Sequence, residues 1–65
     1  MMDREELRIR LNKYVAGNRR TIGDIADELG IARPTLHILL KRTDWLNVHA
    51  ETLSKVDEFL RTNEQ

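Results

Sequence analysis

Apolar residues recur along this chain at intervals of three and four, the spacing of helices with one buried face. Leu7, Leu11, Tyr14 and Val15 share one side of a first helix expected over residues 3–16. Asp3 followed by Glu6 gives it a capping-box-like start, and Gly17 is expected to stop it. Ile9 falls on the opposite side, where no core explains it. A second helix is expected over 22–29, with Ile22, Ile25, Ala26 and Leu29 inward. Thr21 is its N-cap, Asp24 lies in its first turn, and Gly30 ends it. A third begins after Ile31 and ends near Arg42, with Pro34 in the first turn, where a missing N–H costs little. Leu36, Leu39 and Leu40 face inward from it. A fourth is expected over 50–61, capped by Asn47 or His49, with Leu53, Val56 and Leu60 inward and Phe59 alongside. Residues 44–48 form a loop with apolar anchors. No stretch alternates as a strand does. The pattern predicts an all-α, compact four-helix domain.

A length of 65 residues fits one domain spanning 1–65. A chain this short buries only about 60% of its unfolded surface, so small folds often add disulfides or metal. There is no Cys, and two His with scattered carboxylates make a poor metal cage. No metal or other cofactor is expected. No apolar run exceeds three residues, as at Ile38, Leu39 and Leu40, so no membrane partner is expected and the predicted location is the cytoplasm.

Charge changes the picture more than its total suggests. Eleven basic and eleven acidic residues give a net charge of zero. Residues 4–20 hold Arg4, Arg8, Arg10, Lys13, Arg19 and Arg20 against only Glu5 and Glu6. Residues 31–43 hold Arg33, Lys41 and Arg42 with no acid. The acids concentrate at 21–30 and 44–65. A fold that joins the two basic blocks is strongly dipolar, and the field near a surface follows local arrangement.

The most informative stretch is 22–40. Ala26 sits mid-helix, Gly30 follows four residues later, then apolar Ile31, then Leu36 and Leu39 six and nine residues after the Gly. Two helices crossing at about 90–120° through a short turn approach closely where the small Ala lies. The turn needs a residue tolerant of positive φ, which Gly30 supplies. Ile31, Leu36 and Leu39 anchor the following helix, leaving Arg33, Pro34, His37, Ile38 and Lys41 outward.

On these residues the chain resembles the lambda-repressor-like (Cro/cI, or XRE) family of DNA-binding proteins, with the helix-turn-helix at about 22–41. The segment 48–56 resembles that family's fourth helix, so the likeness covers residues 4–60. Three features depart from the family pattern: Ile22 where many members carry Gln, Ala32-Arg33-Pro34 opening the recognition helix, and only residues 62–65 after the fourth helix.

The resemblance implies a sequence-specific transcriptional regulator, of the small phage- or prophage-repressor kind, whose partner is double-stranded DNA. Its third helix would enter the major groove. Arg33 is the foremost base-reading candidate, since its fork matches guanine O6 and N7; a phosphate contact is the alternative. Pro34 and Ile38 offer apolar surface for thymine methyls. Thr35 and His37 are base or phosphate partners, although Thr35 could instead cap its own turn. Arg19, Arg20, Lys41 and Arg42 are phosphate candidates with Thr21 at the start of the second helix, and Arg10 and Lys13 are possible additions. Arg4 and Arg8 read as surface charges paired with nearby Glu.

Two half-sites normally require a homodimer, formed in solution or only on DNA. Ile9, Trp45, Leu46 and Phe59 are the dimer- or partner-surface candidates, Trp45 being equally a core lid. An antirepressor or inducer protein is a further expected partner. The alternative function is a protein-interaction module on the same helical fold. An enzyme is not expected: Ser54 is the only Ser and has no base at a suggestive spacing, and no paired carboxylates or Gly-rich phosphate loop occur.

Overall fold

The computed structural model describes residues 3–63. It contains α1 (Arg4–Gly17), α2 (Ile22–Leu29), α3 (Arg33–Lys41) and α4 (Ala50–Asn63), with no strand among the described residues. The helices enclose one core within 27 × 26 × 19 Å. In it α1 packs on α3 and α4, and α2 on α3 and α4.

Each helix start has a local cause. The Asp3 carboxylate accepts from the Glu5 and Glu6 N–H groups and caps α1. The Thr21 hydroxyl accepts from the Asp24 N–H at 3.1 Å and caps α2. At α3 the N-cap is Ala32, whose side chain caps nothing, and Pro34 lies in the first turn. For α4, the His49 carbonyl accepts the first helical bond, from Leu53 N–H at 3.0 Å, which makes His49 rather than Asn47 the boundary residue.

The helix ends divide the two glycines expected to act as stops. Gly30 has φ 78°; its N–H bonds the Ala26 and Asp27 carbonyls, and the Ile31 N–H also bonds Ala26 O, at 3.1 Å. This is a Schellman-type closure, which an L side chain resists at the left-handed position. Gly17 does not behave this way. It is the last residue inside α1, and the chain leaves the helix at Asn18 in extended conformation. The Asn18 side chain then accepts the Arg20 N–H at 2.9 Å. A side-chain turn does there what the glycine was expected to do.

The core is apolar throughout: Leu7, Leu11, Ile25, Ala26, Leu29, Leu36, Leu39, Trp45, Val48, Leu53, Val56, Phe59 and Leu60, with Tyr14, Val15, Ile22, Ile31 and Leu40 packed against it. Trp45, from the loop, is only 1% exposed. Its Nε1 donates to the Leu39 carbonyl at 3.0 Å, an acceptor at the end of α3. Phe59 is buried edge-to-face against Tyr14, with centroids 5.1 Å apart. Both residues were candidates for a partner surface, and both belong to the core: a side chain closed in by the other helices has no face to offer.

Candidate nucleic-acid interface

The α2–α3 pair places the outward residues of α3. Leu36 and Leu39 are buried and Leu40 is half-buried, which turns the opposite side of the helix to solvent. Pro34, His37, Ile38 and Lys41, spaced at helical intervals on that side, are all exposed, as are Arg33 and Thr35 at its flanks. Ile38 is 58% exposed, a large apolar side chain with no role in the core. With no side-chain cap on α3, the N–H groups of Arg33 and Thr35 are left open at its start.

From the start of α3 the Arg33 side chain reaches back to the first turn of α2. A Cβ placed on Gly23 would sit 2.9 Å from both Cζ and Nε of Arg33 and 3.2 Å from its Nη2. The Arg33 guanidinium therefore lies on the glycine backbone of α2's first turn. Thr21 caps that turn, with Arg19 two residues before it. Lys41 and Arg42 mark the other end of α3.

The eleven cations fall into two groups. Six are engaged within the protein. Arg8 pairs with Glu5, Arg10 with Glu6 at 3.8 Å, Lys55 with Glu51 at 3.8 Å and Arg61 with Asp57 at 3.2 Å. Arg4 reaches the Val48 carbonyl at 3.5 Å rather than a Glu. Arg20 donates to Glu28 at 2.6 Å, to the Tyr14 hydroxyl at 3.2 Å and to Asn63 Oδ1 at 3.4 Å, and lies 5.8 Å above the Phe59 ring. The other five, Lys13, Arg19, Arg33, Lys41 and Arg42, make no hydrogen bond or ion pair among the described residues. All five were sequence candidates for DNA contact, Lys13 as an addition to the phosphate set. Lys13 projects from α1, and no contact ties it to the α3 surface.

Arg20 departs from expectation. It ties α1, α2 and the C-terminal end of α4 together, and Asn63 completes the link by donating to the second Glu28 oxygen at 2.6 Å. The hydrogen bonds Arg20 donates to Tyr14 and then Glu28 raise its pKa. Hydrogen bonds from Asn63 and then Arg20 hold the Glu28 carboxyl below the usual carboxylate range. No periodicity links positions 20, 28 and 63, so sequence gave no signal of this cluster. Gly23 carried a signal of its own: a glycine inside an expected helix, where a better helix former costs less.

Comparison of this chain with family models, curated proteins and solved structures gives no match. The case for a function rests on the residues themselves.

Two other surfaces are distinct from α3. Ile9 and Leu46 are 42% and 74% exposed. A groove of about 700 Å³ runs along the α1–α4 seam, lined by Asp3, Glu6, Asp57 and Glu58 among others. Its Arg10 and Arg61 are paired with its acids, so its balance is acidic and unsuited to a polyanion. Among the described residues no group of three metal-ligating side chains occurs, and no helix is long and apolar enough to cross a membrane.

Proposed function

We propose that this protein is a sequence-specific DNA-binding transcriptional regulator of the lambda-repressor-like kind, a small repressor that lays α3 in the major groove. The observation that carries the reading is the division of the cations. Six of the eleven arginines and lysines are matched to carboxylates or carbonyls, whereas Arg33 and Lys41 on α3, Arg42 at its end, Arg19 before α2 and Lys13 on α1 have no hydrogen bond or ion pair among the described residues. Unmatched cations flanking an exposed helix suit a polyanion, and the spacing of Ala26, Gly30, Ile31, Leu36 and Leu39 suits a helix pair built to present that helix.

Arg33 reads a base, with a guanine O6/N7 pair the best fit to its fork. Ile38 and Pro34 supply apolar contacts to thymine methyls, and His37 and Thr35 supply polar ones. Arg19, with Thr21 at the start of α2, and Lys41 and Arg42, at the far end of α3, neutralise phosphates. Arg20 is removed from the phosphate set because Glu28 already neutralises it. A dimer on two half-sites gives the length of sequence a regulator needs. Ile9 and Leu46 are the remaining candidates for its contact.

Selection from a duplex pool with a random core of about 25 base pairs, at about 100 mM salt, tests the reading. Enrichment of an inverted repeat, with a fixed guanine whose preference is lost in Arg33→Ala, is the expected result. Binding without enrichment reduces the protein to an architectural DNA binder. No recovered duplex overturns the DNA reading and favours a protein-interaction module using Ile38, Leu46 and Ile9.

A further inference from the structure

We infer that Gly23 is a positioning residue for Arg33: the bare backbone of α2's first turn is the seat on which the guanidinium rests, and it sets the direction in which Arg33 meets a base. The inference rests on the DNA-binding reading and adds a specificity-determining position on a helix other than the reading helix.

Three observations lead to it. First, nothing in the backbone asks for glycine at position 23. Gly30 is the only positive-φ residue among those described, and Gly23 is an ordinary helical residue. Glycine is a poor helix former, so on local grounds alanine is preferred there. Second, the space over Gly23 is taken up by the end of Arg33: the three nearest atoms to an added Cβ are its Cζ, Nε and Nη2, at 2.9, 2.9 and 3.2 Å. Carbon atoms in good contact sit about 3.5–4.0 Å apart, so a methyl group and the guanidinium cannot share the site. By contrast, a Cβ on Gly17 or Gly30 would meet nothing within 4 Å. Third, Arg33 has no hydrogen bond or ion pair to orient it, so this contact is what defines where its fork lies.

A planar fork held in place before binding loses less freedom when it docks. A methyl group at position 23 displaces only the end of a flexible side chain. The fold should therefore tolerate Gly23→Ala, and the damage should be confined to what Arg33 does.

The test combines three variants, Gly23→Ala, Arg33→Ala and the pair, with two kinds of readout. The first needs no DNA: the Arg33 Nε–Hε resonance and its heteronuclear NOE in the free protein, with Arg19 as the unseated reference. Arg33 should be the more ordered of the two in the native protein, and should shift and gain mobility in Gly23→Ala, while the melting temperature stays equal or rises. The second is affinity for the selected duplex and for the same duplex with the Arg33 base replaced. Gly23→Ala should weaken binding to the preferred duplex by roughly 3- to 10-fold, the size expected for ordering one rotamer-rich side chain. It should also narrow the preference between the two duplexes and add nothing in the Arg33→Ala background.

An Arg33 as mobile as Arg19 in the native protein overturns the inference whatever the DNA result. So does a Gly23→Ala protein that keeps full affinity and preference while Arg33→Ala loses both. A loss that persists in the Arg33→Ala background also overturns it, because the methyl group then obstructs the DNA itself. If the native protein binds no duplex, the DNA reading fails and with it the functional half of the inference, while the resonance data still decide whether Gly23 seats Arg33.

Discussion

Salt dependence gives the sharpest test of the division between matched and unmatched cations. Setting Arg33 aside as a base reader leaves four unmatched cations for phosphates: Lys13, Arg19, Lys41 and Arg42. Each neutralised phosphate contributes about −0.9 to the slope of log affinity against log salt, so a subunit using all four should show a slope of about −3.6. Between about 50 and 200 mM salt, that slope costs roughly a factor of 100 in affinity. Fluorescence anisotropy on the selected duplex, repeated across this range, measures it. Arg19→Gln, Lys41→Gln and Arg42→Gln should each make the slope shallower by about 0.9. Lys13→Gln decides whether α1 reaches the backbone. The controls remove the same charge from matched pairs: Lys55→Gln, beside Glu51, and Arg61→Gln, beside Asp57, should leave the slope unchanged. Arg20→Gln should lower the melting temperature and spare the slope, since its partners are Glu28, Tyr14 and Asn63. Slopes that fall equally for matched and unmatched cations would refute the reasoning, because binding would then follow total charge rather than its arrangement.

Three further outcomes are expected. Trp45→Ala should cost about 3–5 kcal/mol in a urea melt, which approaches the whole stability of a domain this size, at roughly 0.05–0.15 kcal/mol per residue; a mild effect would show that the loop is not pinned by its ring. Asp24→Asn should tighten DNA binding while lowering the melting temperature, since Asp24 favours the start of α2 but repels a phosphate there; weaker binding would place the DNA elsewhere. The folded Glu28 carboxyl has a lowered pKa, so its contribution is complete above the unfolded value near about 4.3 and is lost as pH falls through the folded value. Between about pH 5 and pH 3 the melting temperature of Glu28→Gln should therefore fall less than that of the native protein, and parallel curves would contradict the cluster.

What could be read from the sequence was local, and what could not be read was relational. Thr21, Asp3 and Gly30 act on neighbours within four residues, and the apolar stripes follow helical spacing. Helix boundaries therefore fell within a residue or two of the observed ones. Gly17 misled because a glycine near a helix end fits either a left-handed stop or an ordinary last residue. The choice was made by Asn18, whose side chain offers the chain another turn. Trp45 was undecided because one aromatic residue in a loop has no periodicity; only the Leu39 carbonyl at the end of α3 gives its N–H an inward partner. Arg20 looked the same in sequence as Arg19 beside it, yet one is held by three side chains and the other by none. That difference depends on where α4 ends, more than forty residues away.

On the proposed DNA-binding reading, the same contrast would explain how a chain with no net charge addresses a polyanion. A small domain carrying many unmatched cations would repel itself and lose stability it cannot spare. Here the acids are placed so that most of the surface is neutral pair by pair, at Arg8–Glu5, Arg10–Glu6, Arg20–Glu28, Lys55–Glu51 and Arg61–Asp57. Two acids outside these pairs, Asp24 and Asp27, lie on α2, next to α3, and limit the field there. Affinity from phosphates alone is then modest, and discrimination must come from the few groups that reach bases. Under that constraint the direction of one arginine matters more than the number of cations around it. On that reading, a glycine that seats Arg33 would be a small structural concession with a large share in deciding which sequence is bound.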